Sequence, residues 1–103
     1  MTEAGQRLQA RQVASRSDPE ASDEALLVRF GNGDPSVAAE LTRRLAPRVL
    51  SLATRVLGSR AEAEDVTQEA MIRLWKIAPD WRSGEARVTT WLYRVGMNLC
   101  IDH

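Results

Sequence analysis

The chain has 103 residues, enough for one small domain, and its 14 Lys+Arg balance 14 Asp+Glu to a formal net charge of zero. That balance argues against a polybasic nucleic-acid tail, an acidic mimic or a membrane-surface module. Cys100 is the single cysteine, so no intramolecular disulfide can form. No apolar run reaches the roughly 18 residues of a spanning helix, and the N-terminus lacks the apolar stretch of a signal peptide; a cytoplasmic protein is expected.

Residues 1–21 hold few large apolar side chains and equal numbers of acids and bases, which predicts a flexible N-terminal tail with at most a frayed helix near residues 7–14. Residues 22–103 carry helical punctuation throughout. Ser22 is an N-cap candidate ahead of Asp23 and Glu24, with Leu26, Leu27 and Phe30 on one apolar face. Gly31-Asn32-Gly33 ends that helix, and Asp34-Pro35 opens the next. The stripe Val37, Leu41, Leu45, Val49, Leu52, Val56 marks the second helix, with Pro47 inside it predicting a kink or a break.

Gly58 closes the second helix, and Ser59 with Glu62 has the spacing of a capping box. The third helix is expected to run to about Ala78, burying Ala63, Val66, Ala70, Leu74 and Ile77. A loop spans 80–87, and a fourth helix from about Val88 buries Val88, Trp91, Leu92, Val95 and Leu99. No stretch alternates as a strand does. The predicted fold is all-α, a compact bundle of about four helices.

Catalytic chemistry finds little support. His103 is the sole histidine and stands at the last position, Cys100 is the sole cysteine, and no phosphate-binding loop or metal-ligand spacing occurs. Neither an enzyme nor a cofactor is expected.

Two surfaces stand out instead. On the third helix Asp65, Gln68, Glu69, Ile72 and Lys76 share the face opposite the core, with Trp75 at its edge. Solvation accounts for the charged members, but an Ile and a Trp within a carboxylate-amide surround have the pattern of a protein-docking face. Around the loop and fourth helix, Trp81, Arg82, Ser83 and Arg87 precede an outward face of Thr90, Arg94, Met97 and Ile101, flanked by Tyr93 and Asn98. Rings that stack on unpaired bases, guanidinium groups for phosphates and short polar side chains for base edges suit single-stranded nucleic acid. Trp91 lies in the apolar stripe and reads first as core, and Trp81 can also pack over a small core.

The segments Ala63-Glu64-Asp65-Val66-Thr67-Gln68-Glu69 with Leu74-Trp75-Lys76, and Thr90-Trp91-Leu92-Tyr93-Arg94 with Asn98-Leu99-Cys100-Ile101-Asp102, carry a family resemblance. Together they resemble region 2 of a bacterial RNA polymerase sigma factor of the extracytoplasmic-function type, in the sigma-70 family. The resemblance implies a promoter-recognition domain without covalent chemistry of its own. It implies docking on the clamp helices of the polymerase β′ subunit through Asp65, Gln68, Glu69, Ile72 and Trp75. It implies capture of the non-template single strand of the −10 promoter element by Trp81, Arg82, Ser83, Arg87, Thr90, Trp91, Tyr93, Arg94 and Asn98. An anti-sigma protein covering these faces is a further implied partner.

The chain departs from the pattern at Gly96, which weakens a helix, and at Met97, which stands where the family commonly has a basic residue. The loss of that phosphate contact and the neutral charge predict a shallow salt dependence of DNA binding. Family members continue into a second helical domain (region 4) that reads the −35 element, so this chain is read as an isolated region 2. The alternatives are a helical protein-interaction module without a DNA-melting role, a small helical enzyme, and a double-helix reader, which lacks its short recognition-helix pair here.

Overall fold

The structure is a computed structural model that describes residues 20–103 except Ser83 and Glu85. The tail expected over 1–21 lies outside the described residues apart from Glu20 and Ala21, as does Ser83 of the expected strand-binding loop. Four α-helices make up the described fold: α1 (Asp23–Gly31), α2 (Ala38–Leu57), α3 (Arg60–Ile77) and α4 (Val88–Asp102). Two 3₁₀ turns, Pro35–Val37 and Ala78–Asp80, precede α2 and follow α3. Among the described residues there is no strand, as the all-α reading expected.

The caps explain where the helices begin. Ser22 Oγ accepts from the Ala25 amide at 3.0 Å, and Asp34 accepts from the Ser36 amide at 3.1 Å. Ser59 Oγ accepts from the Glu62 amide at 3.3 Å. The Glu62 carboxylate turns instead to the end of α4, 3.2 Å from His103 Nε2. Gly58 ends α2 in the left-handed region at φ 70, which lets α3 double back after a two-residue link. Pro47 neither breaks α2 nor falls in its core: the helix is continuous through it, and the ring sits on the exposed side.

The core has two parts. Leu26, Leu27, Val37, Leu41, Leu45, Val49, Leu74, Val88 and Leu92 meet where all four helices converge. A smaller cluster of Ala53, Ala63, Val66 and Cys100 joins the C-terminal end of α2, the start of α3 and the end of α4. Burial raises the Cys100 thiol pKa.

The expected core stripe of α2 needs correction at its end. Val56 is 45% exposed and Leu52 is half-buried, while Ala53 is fully buried. The buried row is Val37, Leu41, Leu45, Val49, Ala53, stepping by four throughout, because a four-residue row runs obliquely along a helix and follows the line of contact with its neighbours. On α3, Ile77 is half-buried against the main cluster and Met71 takes a buried place that the sequence reading did not assign to it.

Arg44 ties α1 to α2. Its guanidinium donates to Glu40 at 2.7 Å, to Asp23 at 3.2 Å and to the Ala21 carbonyl at 2.7 Å. Gly31 lets α1 approach the turn after α3, since a Cβ there would lie 2.4 Å from the Ala78 carbonyl oxygen.

Candidate protein and nucleic-acid interfaces

Packing α3 against α2 leaves an open groove of about 1060 Å³ between them. Asp65, Gln68, Ile72 and Trp75 recur at intervals of three and four residues, so all four project along one edge of α3 into it. Thr42, Ala46, Pro47 and Leu50 of α2 form the facing wall, and Arg60, Glu64, Thr67 and Met71 complete the lining. Ile72 is 44% exposed. Trp75 is half-buried because its indole packs on Phe30 of α1, with ring centroids 4.6 Å apart. Glu69, expected on the same face, lies outside the lining and pairs with Arg73 at 3.1 Å. The groove thus offers an apolar floor with a rim of carboxylates and amides, suited to a helical partner.

A second surface runs along α4 and the loop before it. Thr90, Tyr93, Arg94 and Asn98 are exposed on the side of α4 away from the core, and Arg82 and Arg87 are exposed in the loop. Trp81 and Trp91 sit deeper. Both are half-buried against the main core and meet edge to face, centroids 6.3 Å apart. The indole Nε1 of Trp81 is buried and has no hydrogen-bond partner among the described residues.

The N-terminus of α4 is fixed from a distance. No side chain of its own N-cap residue, Arg87, closes it; the Glu24 carboxylate accepts from the Val88 amide at 2.7 Å. Glu24 was legible only as a first-turn acid of α1.

The profile of the sigma-70 region 2 family matches residues 41–103, which span α2 from Leu41 onward, α3, the loop and α4. The chain belongs to that family. Among relatives, the RNA polymerase sigma-H factor of Pseudomonas aeruginosa is 32% identical over 81 residues, 79% of this chain and 42% of that protein. The ECF RNA polymerase sigma factor SigG of Mycobacterium tuberculosis is 35% identical over 89 residues, 86% of this chain and 21% of that protein. The ECF factor SigW of Bacillus subtilis is 37% identical over 70 residues. The chain therefore spans less than half the length of each of these relatives. No solved structure gives a significant match.

In this sigma region 2 domain both candidate surfaces fall within the matched span, whereas α1, which supplies Phe30 and Glu24, precedes it. Among the described residues no cluster of three or more His, Cys, Asp or Glu is placed to hold a metal ion, and no helix is long and apolar enough to cross a membrane. Sequence reasoning missed the α2 wall of the groove. Its residues are the outward positions of an amphipathic helix, and only the pairing of α2 with α3 gives them a role.

Proposed function

We propose that this domain serves transcription initiation by docking on the clamp helices of the polymerase β′ subunit and capturing the melted non-template strand of the −10 element. The observation that carries the reading is the convergence of Asp65, Gln68, Ile72 and Trp75 in one groove between α2 and α3. A coiled-coil helix laid in that groove would bury Ile72 and the open edge of Trp75, with polar contacts around them. Glu69 would act from the rim, through or in place of its pair with Arg73.

The strand would then cross α4 and its loop. Arg82, Arg87 and Arg94 would meet phosphates, Thr90 and Asn98 would reach base edges, and Tyr93 offers an exposed ring. Trp81 and Trp91 would form the inner wall, and the unpartnered Trp81 Nε1 supplies a donor near it. Ser83 completes the expected set. Melting follows because a ligand that binds only the separated strand shifts the duplex equilibrium toward it. An anti-sigma protein would inhibit by covering either surface.

Two measurements test this. A β′ clamp-helix fragment should retain the full chain in a pull-down, and Asp65→Lys should abolish retention; failure of the wild type, where a known sigma factor binds, overturns the docking reading. Fluorescence anisotropy with a single-stranded −10 oligonucleotide should show binding that Trp81→Ala and Asn98→Ala weaken. Unchanged affinity in both removes those residues from the strand path.

A further inference from the structure

A second open groove, about 580 Å³, lies on the other flank of α2, between that helix and α4. Its lining differs in kind from that of the α2/α3 groove. Arg48, Ser51 and Arg55 come from α2, Tyr93 and Met97 from α4, and no carboxylate lines it. The α2/α3 groove, by contrast, carries Glu64 and Asp65, with Arg60 paired to Glu64 at 3.3 Å. Pro47 borders both, so α2 is a ridge between a groove that holds carboxylates and one whose only charged side chains are arginines.

Three features point to what the basic groove takes. Arg48 and Arg55 are exposed and have no ion-pair or hydrogen-bond partner among the described residues, although other arginines of α2 and α3 pair with carboxylates. They stand seven residues apart, so about 10 Å along one face of α2. Tyr93 and Met97 are large apolar side chains left 39% and 37% exposed at the groove, and they border the Arg94 and Asn98 row of α4. Cations in a row beside an exposed ring match a sugar-phosphate backbone with a base stacked next to it.

We infer that the α2/α4 groove continues the single-strand path, with Arg48 and Arg55 holding phosphates of the strand and Tyr93 and Met97 forming the apolar floor for a base. The inference rests on the proposed strand-capture role of α4 and extends it to a helix that the sequence reading left out. It also accounts for Met97. The cation missing from that position of α4 is supplied across the groove by α2, so the salt dependence of binding is steeper than the sequence alone predicts.

The test is fluorescence anisotropy of the full chain with fluorescein-labelled oligo(dT) and oligo(dA) across a salt series, with circular dichroism confirming the helical fold of each variant. Arg48→Ala and Arg55→Ala should each reduce the magnitude of the slope of log K against log salt by about 0.7, equally on both oligonucleotides, because phosphate contacts carry no sequence information. Arg48→Lys and Arg55→Lys should restore it, and Met97→Arg should add about 0.7. If neither alanine variant changes the slope while Asn98→Ala still weakens binding, the strand does not cross α2; the inference fails and the α4 reading stands. If the wild type binds neither oligonucleotide nor the −10 strand, both fail. Tighter binding to a duplex, with the same losses in slope, would make the groove a double-helix site and overturn the inference.

Discussion

The Glu24 carboxylate accepts a hydrogen bond from the Val88 backbone amide at 2.7 Å, so the first helix closes the N-terminus of the fourth across 64 residues of chain. A carboxylate at that position satisfies an otherwise unpaired donor and faces the positive end of the helix dipole. Glu24→Ala should cost about 1 kcal/mol, the usual value of an N-cap, and lower the melting temperature by about 4–8 °C. Glu24→Gln keeps an acceptor and should lose less. Hydrogen exchange provides the local readout: the Val88 amide should lose protection in Glu24→Ala before the α3 amides do.

Two glycines should respond in opposite ways to the same substitution. A Cβ on Gly31 would fall 2.4 Å from the Ala78 carbonyl oxygen and 2.7 Å from its carbon, backbone atoms that move only if α1 separates from the turn. Gly31→Ala should therefore destabilise the domain by about 1–3 kcal/mol. A Cβ on Gly96 would meet Val49 Cγ1 at 3.4 Å and Leu52 Cδ2 at 3.9 Å, ordinary contacts, within a helix that alanine favours. Gly96→Ala should raise stability by about 0.5–1 kcal/mol. Chemical denaturation of both variants checks the pair, and equal effects would contradict it.

These devices mark where the sequence stops being legible. Ser22, Gly58 and Ser59 act on their own neighbours, so local chemistry placed the starts of α1 and α3 and the end of α2. Asp65, Gln68, Ile72 and Trp75 lie on one helix, so helical periodicity was enough to group them. Glu24 and Gly31 act on residues more than 40 positions away, and nothing near them in the chain signals it. The same holds for the walls of both grooves that α2 contributes. Their side chains look like a solvated face until α3 and α4 are packed beside it. Val56 shows the opposite error, an apolar residue counted as core because the stripe was extended by threes and fours beyond the point where neighbours cover it.

Acid should weaken the Glu40–Arg44 pair that braces the link between α1 and α2. Hydrogen bonds from Arg43 and then Arg44 lower the Glu40 pKa from 4.5 to about 2, and the Ser36 hydroxyl and amide lower that of Asp34. A folded-state pKa below the unfolded one gives stability that is present above about 4.5 and lost as pH falls through about 2. Glu40→Gln should thus melt below the wild type near neutral pH, with the gap closing across that acid window. Thermal melts at stepped pH measure it; a gap independent of pH would assign the loss to packing instead.

Ile72 and Trp75 share a groove but should separate under mutation. Trp75 also supports the fold through Phe30, so Trp75→Ala should lose about 2 kcal/mol of stability and, under the proposed docking, also weaken binding to a β′ clamp-helix fragment. Ile72 is 44% exposed and outside both core clusters, so Ile72→Ala should leave stability within about 0.5 kcal/mol of the wild type. If a partner helix buries it, the same change should weaken binding to a β′ clamp-helix fragment by roughly tenfold, about 1.4 kcal/mol. Trp75→Phe separates the two roles further, because a smaller ring can keep the contact with Phe30 while reaching less far into the groove. Binding by Ile72→Ala at wild-type strength would place the partner elsewhere on α3, beyond the turn where Ile72 faces solvent.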